Sequence, residues 1–467
     1  MTLKTDLVII GAGPGGYVAA LHAAQLGAQV TLVEKKHIGG VCLNEGCIPT
    51  KALLRSAEVL TLVRRAGEFG VVASEPTLDW AAVQRRKSRL VKQITSQVEL
   101  LLRQARVNVW RGTARFVSPH AIEVETAGEK RQVEAQNIII ATGAHPSRLP
   151  VPGLEGPDVI DHTGALSLQA LPKSMLIIGG GAEGTEFASI FNAYGVKVTL
   201  VEMLPRLLPM MDADVGEVLE WIFEQRGIKV LTGSTIVAVD PGPSGLAAVV
   251  KTPDGEQRIE VEKILVSAGG KPDVKDLGLE TAGVRYERSG IVVDKHLRTS
   301  VPHIYAIGDV TGGKMLAHVA SGEGKVAVAN ALGHVTAMDY KTVPGCVFTI
   351  PEVAGIGLTE AEARQQGYEV RVGKFPFSSN GKAIIAGEPD GFVKVVSEAK
   401  YDQVLGLHVV GLHASDLVLE GGIALTLEAT LKQIEATIHA HPTLGEAVAE
   451  AALAVTRRAI HSLMSYR

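Results

Sequence analysis

One sequence unit occurs twice in this chain, and it limits the possible folds more than any other feature. Residues 6–35 (DLVIIGAGPGGYVAALHAAQLGAQVTLVEK) and 174–203 (SMLIIGGGAEGTEFASIFNAYGVKVTLVEM) share one order of parts. Each has an apolar strand, a G-x-G-x-x-G loop, a helical stretch and a second strand that ends in Val-Glu. A single loop of this kind is weak evidence. Two copies in the same context predict two dinucleotide-binding folds of the Rossmann type.

The three glycines of each loop have separate physical roles. The first allows a tight turn, the second lets the backbone approach a pyrophosphate, and the third lets the helix pack closely on the sheet. The helix N-terminus then presents free N–H groups and a positive dipole end to the phosphates. These glycines are Gly11, Gly13 and Gly16 in the first unit and Gly179, Gly181 and Gly184 in the second.

A glutamate ends the second strand of each unit, at the same distance from its loop. These residues are Glu34 and Glu202. A carboxylate at this point can accept hydrogen bonds from a ribose 2′-hydroxyl, whereas it repels a 2′-phosphate. Glu202 therefore predicts that the second site prefers NAD over NADP.

The composition is typical of a large α/β protein and disfavours several other classes. The chain has 467 residues, too many for one hydrophobic core, so we expect several domains. It is 46% apolar, and its net charge of −4 gives no reason to expect binding to nucleic acid or to an anionic membrane. No uncharged apolar run approaches the roughly 18 residues that span a bilayer, and no cleavage-type segment follows the first strand. We expect a soluble, cytoplasmic protein.

Three further segments have interpretable patterns. Residues 81–105 predict one amphipathic helix with a solvated basic face. The apolar side chains at helical spacing are Leu90, Val91, Ile94, Val98 and Leu101, and the basic ones are Arg85, Arg86, Lys87, Arg89 and Lys92. The runs NIIIATGA (137–144) and HIYAIGDV (303–310) predict strands whose carboxyl ends carry small or acidic residues, which is where such folds bind ligands. After Pro344, alternating strand-like runs and an Ala-rich helical stretch predict a separate α+β domain.

Two of the three cysteines, Cys42 and Cys47, lie in GGVCLNEGCIPTKALL, residues 39–54. In a regular helix their Cα atoms would be about 7.5 Å apart along the axis, and a disulfide needs them within about 7 Å. A bridge therefore requires a distorted turn, which Gly46 permits. The alternatives are a metal half-site, for which only Cys346 remains as a further thiol, and a structural staple, which would close too small a ring to stabilise the fold much. A redox pair that opens and closes during turnover fits best.

The segment HAHPTLGEA (439–447) contains a candidate base. Thr443 and Glu446 have capping-box spacing, so Glu446 has a local role open to it at the start of a helix. Glu446 has an alternative role, in which it orients His441 as a general base. A thiol-exchange enzyme needs a base with a pKa near neutrality, which favours the second role. His439 is either a cofactor contact or a buried histidine, and the pattern does not decide between them.

These motifs together resemble the pyridine nucleotide-disulphide oxidoreductases. GGVCLNEGCIPTKALL, ATGA, GGGAEGTE, AIGDV, MLAHVASGEG and HAHPTLGEA occur in that family's order over essentially the whole chain. The resemblance implies an α/β fold with two Rossmann-like dinucleotide-binding domains, one for FAD and one for NAD, plus a C-terminal α+β dimerisation domain. The implied borders are 1–150 and 273–343 for the FAD domain, 151–272 for the NAD domain and 344–467 for dimerisation.

The resemblance also implies roles for individual residues. Cys42 would exchange with the thiol substrate, Cys47 would lie nearest the flavin, and Lys51 near the flavin would pair with Glu186. His441 and Glu446 would reach the disulfide from the partner subunit. The implied FAD contacts are Gly11, Gly13, Gly16, Glu34, Lys51, Ala114, Thr142, Gly143, Asp309, Leu316, Ala317 and His318. The implied NAD contacts are Gly179, Gly181, Gly184, Glu186, Glu202, Ile236 and Gly269.

Within the family, the motifs are most similar to those of members that oxidise dihydrolipoyl groups with NAD⁺. This likeness implies a homodimer that serves the lipoyl domains of 2-oxo acid dehydrogenase complexes or the lipoyl carrier of glycine cleavage, with no nucleic-acid or membrane partner. The alternative is a glutathione-reductase-like or mercuric-reductase-like enzyme that uses NAD(P)H. Glu202 disfavours NADPH, and the last residues, HSLMSYR, lack a cysteine pair of the mercuric-reductase kind.

One departure from the family pattern lies in the second glycine-rich loop. The family usually has bulky apolar residues where this chain has Ala182 and Glu183. A carboxylate at a helix N-terminus is expected to repel a pyrophosphate unless it points away.

Overall fold

The structure is a computed structural model that describes residues 3–243 and 245–462. Runs of strands and helices are interspersed up to Ala331, and a strand-rich stretch follows from Gly345. The strands are β1 (Leu3–Ile10), β2 (Val30–Glu34), β3 (Asn108–Arg111), β4 (Thr113–Ser118), β5 (Ala121–Thr126), β6 (Glu129–Ile140), β7 (Ala144–Pro146), β8 (Val159–Ile160), β9 (Ser174–Ile178), β10 (Lys197–Val201), β11 (Lys229–Leu231), β12 (Thr235–Gly242), β13 (Gly245–Thr252), β14 (Gly255–Val261), β15 (Lys263–Val266), β16 (Gly270–Pro272), β17 (Tyr286–Glu287), β18 (Gly290–Ile291), β19 (Ile304–Ala306), β20 (Gly345–Val347), β21 (Glu352–Gly357), β22 (Val370–Pro376), β23 (Phe392–Glu398) and β24 (Val404–Gly411). The helices are α1 (Pro14–Gln25), α2 (Gly40–Glu45), α3 (Cys47–Arg64), α4 (Trp80–Gln104), α5 (His162–Leu166), α6 (Ala182–Ala193), α7 (Ala213–Gln225), α8 (Leu279–Ala282), α9 (Ala317–Ala331), α10 (Glu360–Gln365), α11 (Gly381–Ala386), α12 (Ala414–Thr426), α13 (Leu431–Ala436) and α14 (Glu446–Val455).

The first sheet has the strand order β3-β2-β1-β6-β5-β4, with β19 also paired to β6. Strands β3, β2, β1, β6 and β19 run parallel. The second half of β1, from Leu7 to Ile10, is buried on both faces, as expected for a parallel strand covered by helices on either side. The first glycine-rich loop follows β1 directly, so it lies at the carboxyl edge of this sheet, where doubly wound folds bind ligands.

The second sheet repeats this plan in the order β11-β10-β9-β15-β8, with all its strands parallel. The second glycine-rich loop follows β9 and leads into α6. A three-stranded antiparallel sheet, β12-β13-β14, is inserted before β15. The two Rossmann-like folds predicted from the repeated unit are thereby confirmed.

The C-terminal region forms an antiparallel sheet in the order β20-β21-β24-β23-β22. Helices α12 and α14 pack against it, and the α+β domain expected after Pro344 is confirmed. Side chains alternate between the faces of a strand. Val393 and Val395 of β23 accordingly join the apolar cluster with α12 and α14, whereas Lys394 points toward α7 of the second Rossmann-like fold.

Helix α4 confirms the amphipathic helix expected over 81–105, and the Asp79 side chain caps it by accepting from the Ala82 N–H. The sequence pattern assigned Leu101 to the apolar face, but Leu102 is the buried residue and Leu101 is about half exposed. Arg86 and Lys87 are not purely solvated, because they donate to the backbone carbonyls of Ala52 and Leu166. Within the described ranges, each helix is too short or too polar for a segment that crosses a lipid bilayer.

A buried ion cluster joins the second Rossmann-like fold to the C-terminal sheet. The Lys394 side chain is 2% exposed, and its Nζ lies 2.8 Å from Asp212 Oδ1, 2.5 Å from Asp214 Oδ2 and 2.9 Å from Glu360 Oε2. Burial alone would raise the pKa of Asp212, but the hydrogen bonds from Lys394 and from the Glu360 N–H lower it below its ordinary value. The cluster therefore stabilises the ionised carboxylates, and this contribution is lost as the pH falls through their lowered pKa values.

We expect Lys394→Met to destabilise the protein by about 3–5 kcal/mol, because it leaves the buried carboxylate of Asp212 without its cation. Lys374→Met is the matched control, since Lys374 pairs with Asp214 but its side chain is 41% exposed, and it should cost about 0–1 kcal/mol. Urea denaturation of both variants and the wild type at neutral pH measures the difference. Equal losses in the two variants would show that the buried cluster contributes no more than a surface pair.

Candidate active site

Cys42 and Cys47 form a disulfide, as the family resemblance implies. Their Cα atoms are 4.7 Å apart, well inside the range for a bridge. The helix is broken between them at Gly46, whose φ of −141° and ψ of −108° fit neither α2 nor α3. The distorted turn expected from the spacing is therefore present. Both cysteines are partly exposed, so a thiol substrate has access to the bridge.

The cysteine-bearing segment is packed directly on the first glycine-rich loop. Gly40, with φ of 58°, begins α2, and a Cβ at this position would lie 2.6 Å from the Cα of Gly13. The Asn44 side chain donates to the carbonyls of Ile38 and Gly40 and fixes the entry into the helix. The close approach of these two backbones holds the disulfide beside the first dinucleotide site.

The glycine-rich loops have the shape that the sequence predicted. A Cβ at Gly16 would lie 1.8 Å from the carbonyl oxygen of Gly11, and one at Gly184 the same distance from that of Gly179. No atom of the described residues lies within 4 Å of a Cβ built on Gly181. The third glycine of each loop is thus required by packing, whereas Gly181, the second glycine of the second loop, leaves open space in front of a helix N-terminus, which fits a pyrophosphate.

The glutamates at the ends of the second strands accept backbone hydrogen bonds that the sequence did not predict. Glu34 accepts hydrogen bonds from the Ala12 N–H at 2.8 Å and the Lys36 N–H at 2.6 Å. Glu202 accepts from the Gly180 N–H at 2.6 Å and the Leu204 N–H at 2.7 Å. Each carboxylate thus fixes its own loop, and its oxygens keep lone pairs for a ribose.

The residues expected at FAD lie mostly at the carboxyl edge of the first sheet. Thr142 and Gly143 follow β6, and the Thr142 hydroxyl donates to the Asp273 carbonyl at 2.8 Å. Asp309 follows β19 in a 3-10 turn, where burial raises the pKa of its carboxyl. Ala114 is buried in β4. Leu316, Ala317 and His318 form the start of α9, which packs against α1, the helix of the first loop.

A positioning pair that the sequence did not suggest supports the Asp309 turn. The buried carboxylate of Glu323 accepts from the Gly308 N–H at 2.6 Å and from the Tyr340 hydroxyl at 2.6 Å. Burial raises the pKa of Glu323. The sequence signal that could have indicated this pair is the position of a glutamate on the buried face of α9, because a buried carboxylate needs hydrogen-bond partners.

An ion pair connects the redox helix to the second dinucleotide fold, as the resemblance implies. Lys51 lies one turn after Cys47 on α3, and its Nζ is 2.7 Å from Glu186 Oε2 on α6. Glu186 also accepts from the Phe348 N–H at 2.9 Å, and the Lys51 ammonium lies 4.6 Å from the Phe348 ring centre. Three parts of the chain therefore meet next to the disulfide.

Of the two remaining residues expected at NAD, one lies at the edge of the second sheet near the glycine-rich loop and the other lies in an apolar cluster. Gly269 follows β15 with φ of 78°, at the same edge as the second glycine-rich loop. Ile236 is buried in β12, with its side chain in the apolar cluster that the inserted sheet shares with β9.

The two roles weighed for Glu446 are shared between its two oxygens. Oε1 lies 2.9 Å from His441 Nδ1, and Oε2 accepts from the Thr443 N–H at 2.8 Å. Gly445 is the N-cap of α14 and the Thr443 hydroxyl donates to the Ala440 carbonyl, so the contact of Glu446 with the Thr443 N–H is not part of a complete capping box. Slight burial alone would raise the pKa of Glu446, but the hydrogen bonds with the Thr443 N–H and with His441 lower it below its ordinary value.

His441 and the disulfide do not meet within one chain. The His441 side chain is 80% exposed, and no hydrogen bond joins it to α2 or α3 in the described part of the chain. His439, which the sequence left open, is largely buried with Nε2 3.0 Å from Glu420 Oε1. The segment thus holds one histidine inward and presents the other to an outside group.

Comparison with known proteins decides the family. The family model described as pyridine nucleotide-disulphide oxidoreductase matches residues 5–324, and the model of its dimerisation domain matches residues 343–452. The chain belongs to the pyridine nucleotide-disulphide oxidoreductase family. Members of this family use FAD and NAD, and the two loops described above are the parts of this chain suited to them.

Similar proteins span the whole chain. A dihydrolipoyl dehydrogenase of Thermus scotoductus is 45% identical over 99% of this chain and 100% of its own length. One from Bacillus subtilis is 41% identical with the same coverage. Among solved structures, LpdA of Mycobacterium tuberculosis is 30% identical, covers 97% of this chain and 99% of its own, and has a TM-score of 0.89. The flavoprotein disulfide reductase RclA of Escherichia coli is 27% identical, covers 96% and 99%, and has a TM-score of 0.86.

The loop geometry of this oxidoreductase predicts opposite effects for two glycine substitutions. Gly184→Ala should disrupt the second loop before any ligand binds, because its Cβ would overlap the Gly179 carbonyl. Gly181→Ala should fold normally, since its Cβ meets open space, and should weaken dinucleotide binding only. Thermal unfolding without NAD, followed by NAD⁺ titration, separates the two effects. A normal melting curve for Gly184→Ala would contradict this account.

Proposed function

We propose that this chain is a dihydrolipoyl dehydrogenase, which oxidises a dihydrolipoyl group to its disulfide and reduces NAD⁺ to NADH. One observation carries the proposal: a partly exposed disulfide lies between two dinucleotide-binding folds and is tied to both, through Gly40 and Gly13 and through Lys51 and Glu186. The full-length relatives of the same name support the choice of substrate.

The proposed thiol chemistry uses the two cysteines in sequence. A substrate thiolate attacks Cys42, a mixed disulfide forms, and the Cys42–Cys47 bond breaks with Cys47 leaving as a thiolate. The second substrate thiolate then displaces Cys42 and closes the lipoyl ring. FAD, when bound, supplies the redox chemistry that connects the dithiol to NAD⁺. The balance is one dithiol and one NAD⁺ giving one cyclic disulfide, one NADH and one proton.

His441 is the proposed base for the substrate thiols. Glu446 lies at Nδ1, so the proposed tautomer carries its proton there and leaves Nε2 free to accept one from a thiol. The carboxylate also stabilises the imidazolium that results. The Thr443 N–H holds the other oxygen of Glu446 and fixes the orientation of the pair.

A homodimer would bring this base to the disulfide. The C-terminal region matches a dimerisation domain, and it presents an apolar stripe along α12 and its C-cap formed by Leu419, Ile423 and Leu427, each more than half exposed. Ile438, three residues before His441, is 97% exposed. Burial of these side chains in an interface between two copies would carry His441 to the partner's disulfide.

Two finer points remain part of the proposal. We propose that the reduced partners are lipoyl domains of 2-oxo acid dehydrogenase complexes or the lipoyl carrier of glycine cleavage, since both present a dithiol on a protein arm. We also propose the domain borders 1–150, 151–272, 273–343 and 344–467, which the grouping of strands into sheets supports except at β16, since β16 pairs with β7 of the first range.

Cys47→Ser should abolish reduction of NAD⁺ by dihydrolipoamide, because the disulfide can no longer form. The wild type should show a long-wavelength thiolate–flavin absorption band after two-electron reduction, and the variant should lack it. Cys346→Ser is the matched control, because Cys346 is the free thiol of this chain, and its activity should match that of the wild type. Full activity of Cys47→Ser, or faster turnover of glutathione or Hg²⁺ than of lipoamide by the wild type, would overturn the proposed function.

Paired heterodimers test whether His441 acts across the interface. A dimer of one Cys47→Ser chain and one His441→Gln chain should retain about half of the wild-type activity, because one disulfide still meets an intact histidine. A dimer of a wild-type chain and a chain with both substitutions should be inactive. If the pair acted within one chain, the two results would be exchanged. Differently tagged chains, co-expressed and purified as heterodimers, supply both samples.

A further inference from the structure

Glu183 is a charged group at the second dinucleotide site that the proposed chemistry does not use. It occupies the first turn of α6, two residues after the N-cap Gly181. Its side chain is 45% exposed, and the neighbouring Ala182 is small and exposed, so the front of the loop is open at this point.

The groups around Glu183 leave its charge only partly balanced. His162 Nδ1 of α5 lies 3.8 Å from Glu183 Oε2 and carries a positive charge only when protonated. Asp161, the N-cap of α5, and Glu186, on α6 like Glu183, are also acidic, and Lys51 already pairs with Glu186. No lysine or arginine pairs with Glu183 among the described residues.

The groups around Glu183 make further negative charge at this point electrostatically unfavourable. Partial burial raises the pKa of Glu183, and the negative charges of Glu186 and Asp161 raise it further. The nearby His162 and Ser267 act in the opposite direction and lower this pKa. The buried Ser267 hydroxyl, on the loop after β15, lies near the carboxyl but outside hydrogen-bond geometry, and it has no partner in the described part of the chain.

The position of α6 places Glu183 beside the reacting end of a bound dinucleotide. The loop at Gly181 suits the pyrophosphate, while Glu186, one turn further along α6, pairs with Lys51 next to the disulfide. A dinucleotide that starts at the loop and reaches the redox centre must pass the first turn of α6. The nicotinamide, and not the adenine, is the end that has to reach that side.

The nicotinamide ring is cationic in NAD⁺ and neutral in NADH, whereas the rest of the molecule has the same charge in both. A nearby carboxylate therefore attracts the oxidised ring but gains nothing from the reduced ring, and its repulsion of the pyrophosphate is common to both. We propose that Glu183 is a specificity-determining residue that makes the site favour NAD⁺ over NADH and so promotes release of the product. The inference rests on the proposed function only for the statement that NADH is the product. The expected difference in affinity between NAD⁺ and NADH does not depend on that function.

Direct binding to the oxidised, FAD-loaded dimer tests the proposal without turnover. The probes are NAD⁺, with a cationic ring; 1,4,5,6-tetrahydronicotinamide adenine dinucleotide, with a neutral ring that cannot transfer hydride; and ADP-ribose, with no ring. Isothermal titration calorimetry at about pH 8, where glutamate side chains are ionised, gives the ratio of the two dinucleotide Kd values.

In Glu183→Gln we expect the preference for NAD⁺ over the neutral analogue to fall by about three- to tenfold, as suits a charge contact that solvent partly screens. Binding of the neutral analogue and of ADP-ribose should tighten together. His162→Gln should keep the preference, because the carboxylate remains. Glu224→Gln is the control with the same charge change: it lies at the C-terminal end of α7, at the opposite edge of the parallel sheet, and should leave the ratio unaltered.

A ratio in Glu183→Gln within twofold of the wild type would overturn the proposal, and so would an equal fall in Glu224→Gln. Steady-state inhibition by NADH gives a second measurement, and Glu183→Gln should be inhibited more strongly than the wild type. If dihydrolipoamide proves not to be a substrate but the ratio changes as expected, the proposed function fails and this inference stands.

Discussion

The approach of two glycine backbones, Gly13 and Gly40, is the constraint on which the rest of the site depends. A Cβ on Gly40 would lie 2.6 Å from the Gly13 Cα, so the start of α2 has no room for a side chain against the first dinucleotide loop. The disulfide, the distorted turn at Gly46 and the redox helix α3 all follow from that point along the chain. The sulfur pair is therefore held by packing of the backbone and not by a long side chain, which suits a group that must change its bonding while its neighbours stay in place.

Ionic contacts then fix the separately folded parts relative to one another. Lys51 and Glu186 join the redox helix to the second Rossmann-like fold, and Lys394 with its carboxylates joins that fold to the C-terminal sheet. Both lysines contact groups from other parts of the chain, so each contact exists only when those parts are docked. Because a buried charge without its partner is costly, these contacts favour one arrangement of the parts over alternatives.

Several features were predictable because they are local in the sequence. The glycine-rich loops, the strands that precede them and the helix at 80–104 each depend on residue spacing within one short segment. The errors and omissions concern side chains whose partners are distant. Leu102, and not Leu101, is buried, since the face of a long helix that is covered depends on what packs against it. The same reason explains why the Glu323–Tyr340 pair was not apparent from the sequence. It also applies to Glu34 and Glu202, whose carboxylates accept hydrogen bonds from backbone N–H groups of the glycine-rich loops.

The sequence by itself determined that this chain contains two dinucleotide folds, that NAD suits the second one, and that a bridge between Cys42 and Cys47 needs a distorted turn. Each of these follows from steric or electrostatic limits on a few neighbouring residues: a missing Cβ, a carboxylate at a strand end, a glycine in a turn. Only the tertiary structure decided that His441 is exposed, with Glu446 as its hydrogen-bond partner, that Glu446 contacts His441 and Thr443 with different oxygens, and that Glu183 has a histidine as its facing group. Those outcomes depend on the directions of side chains from separate elements, and directions are set when the elements pack.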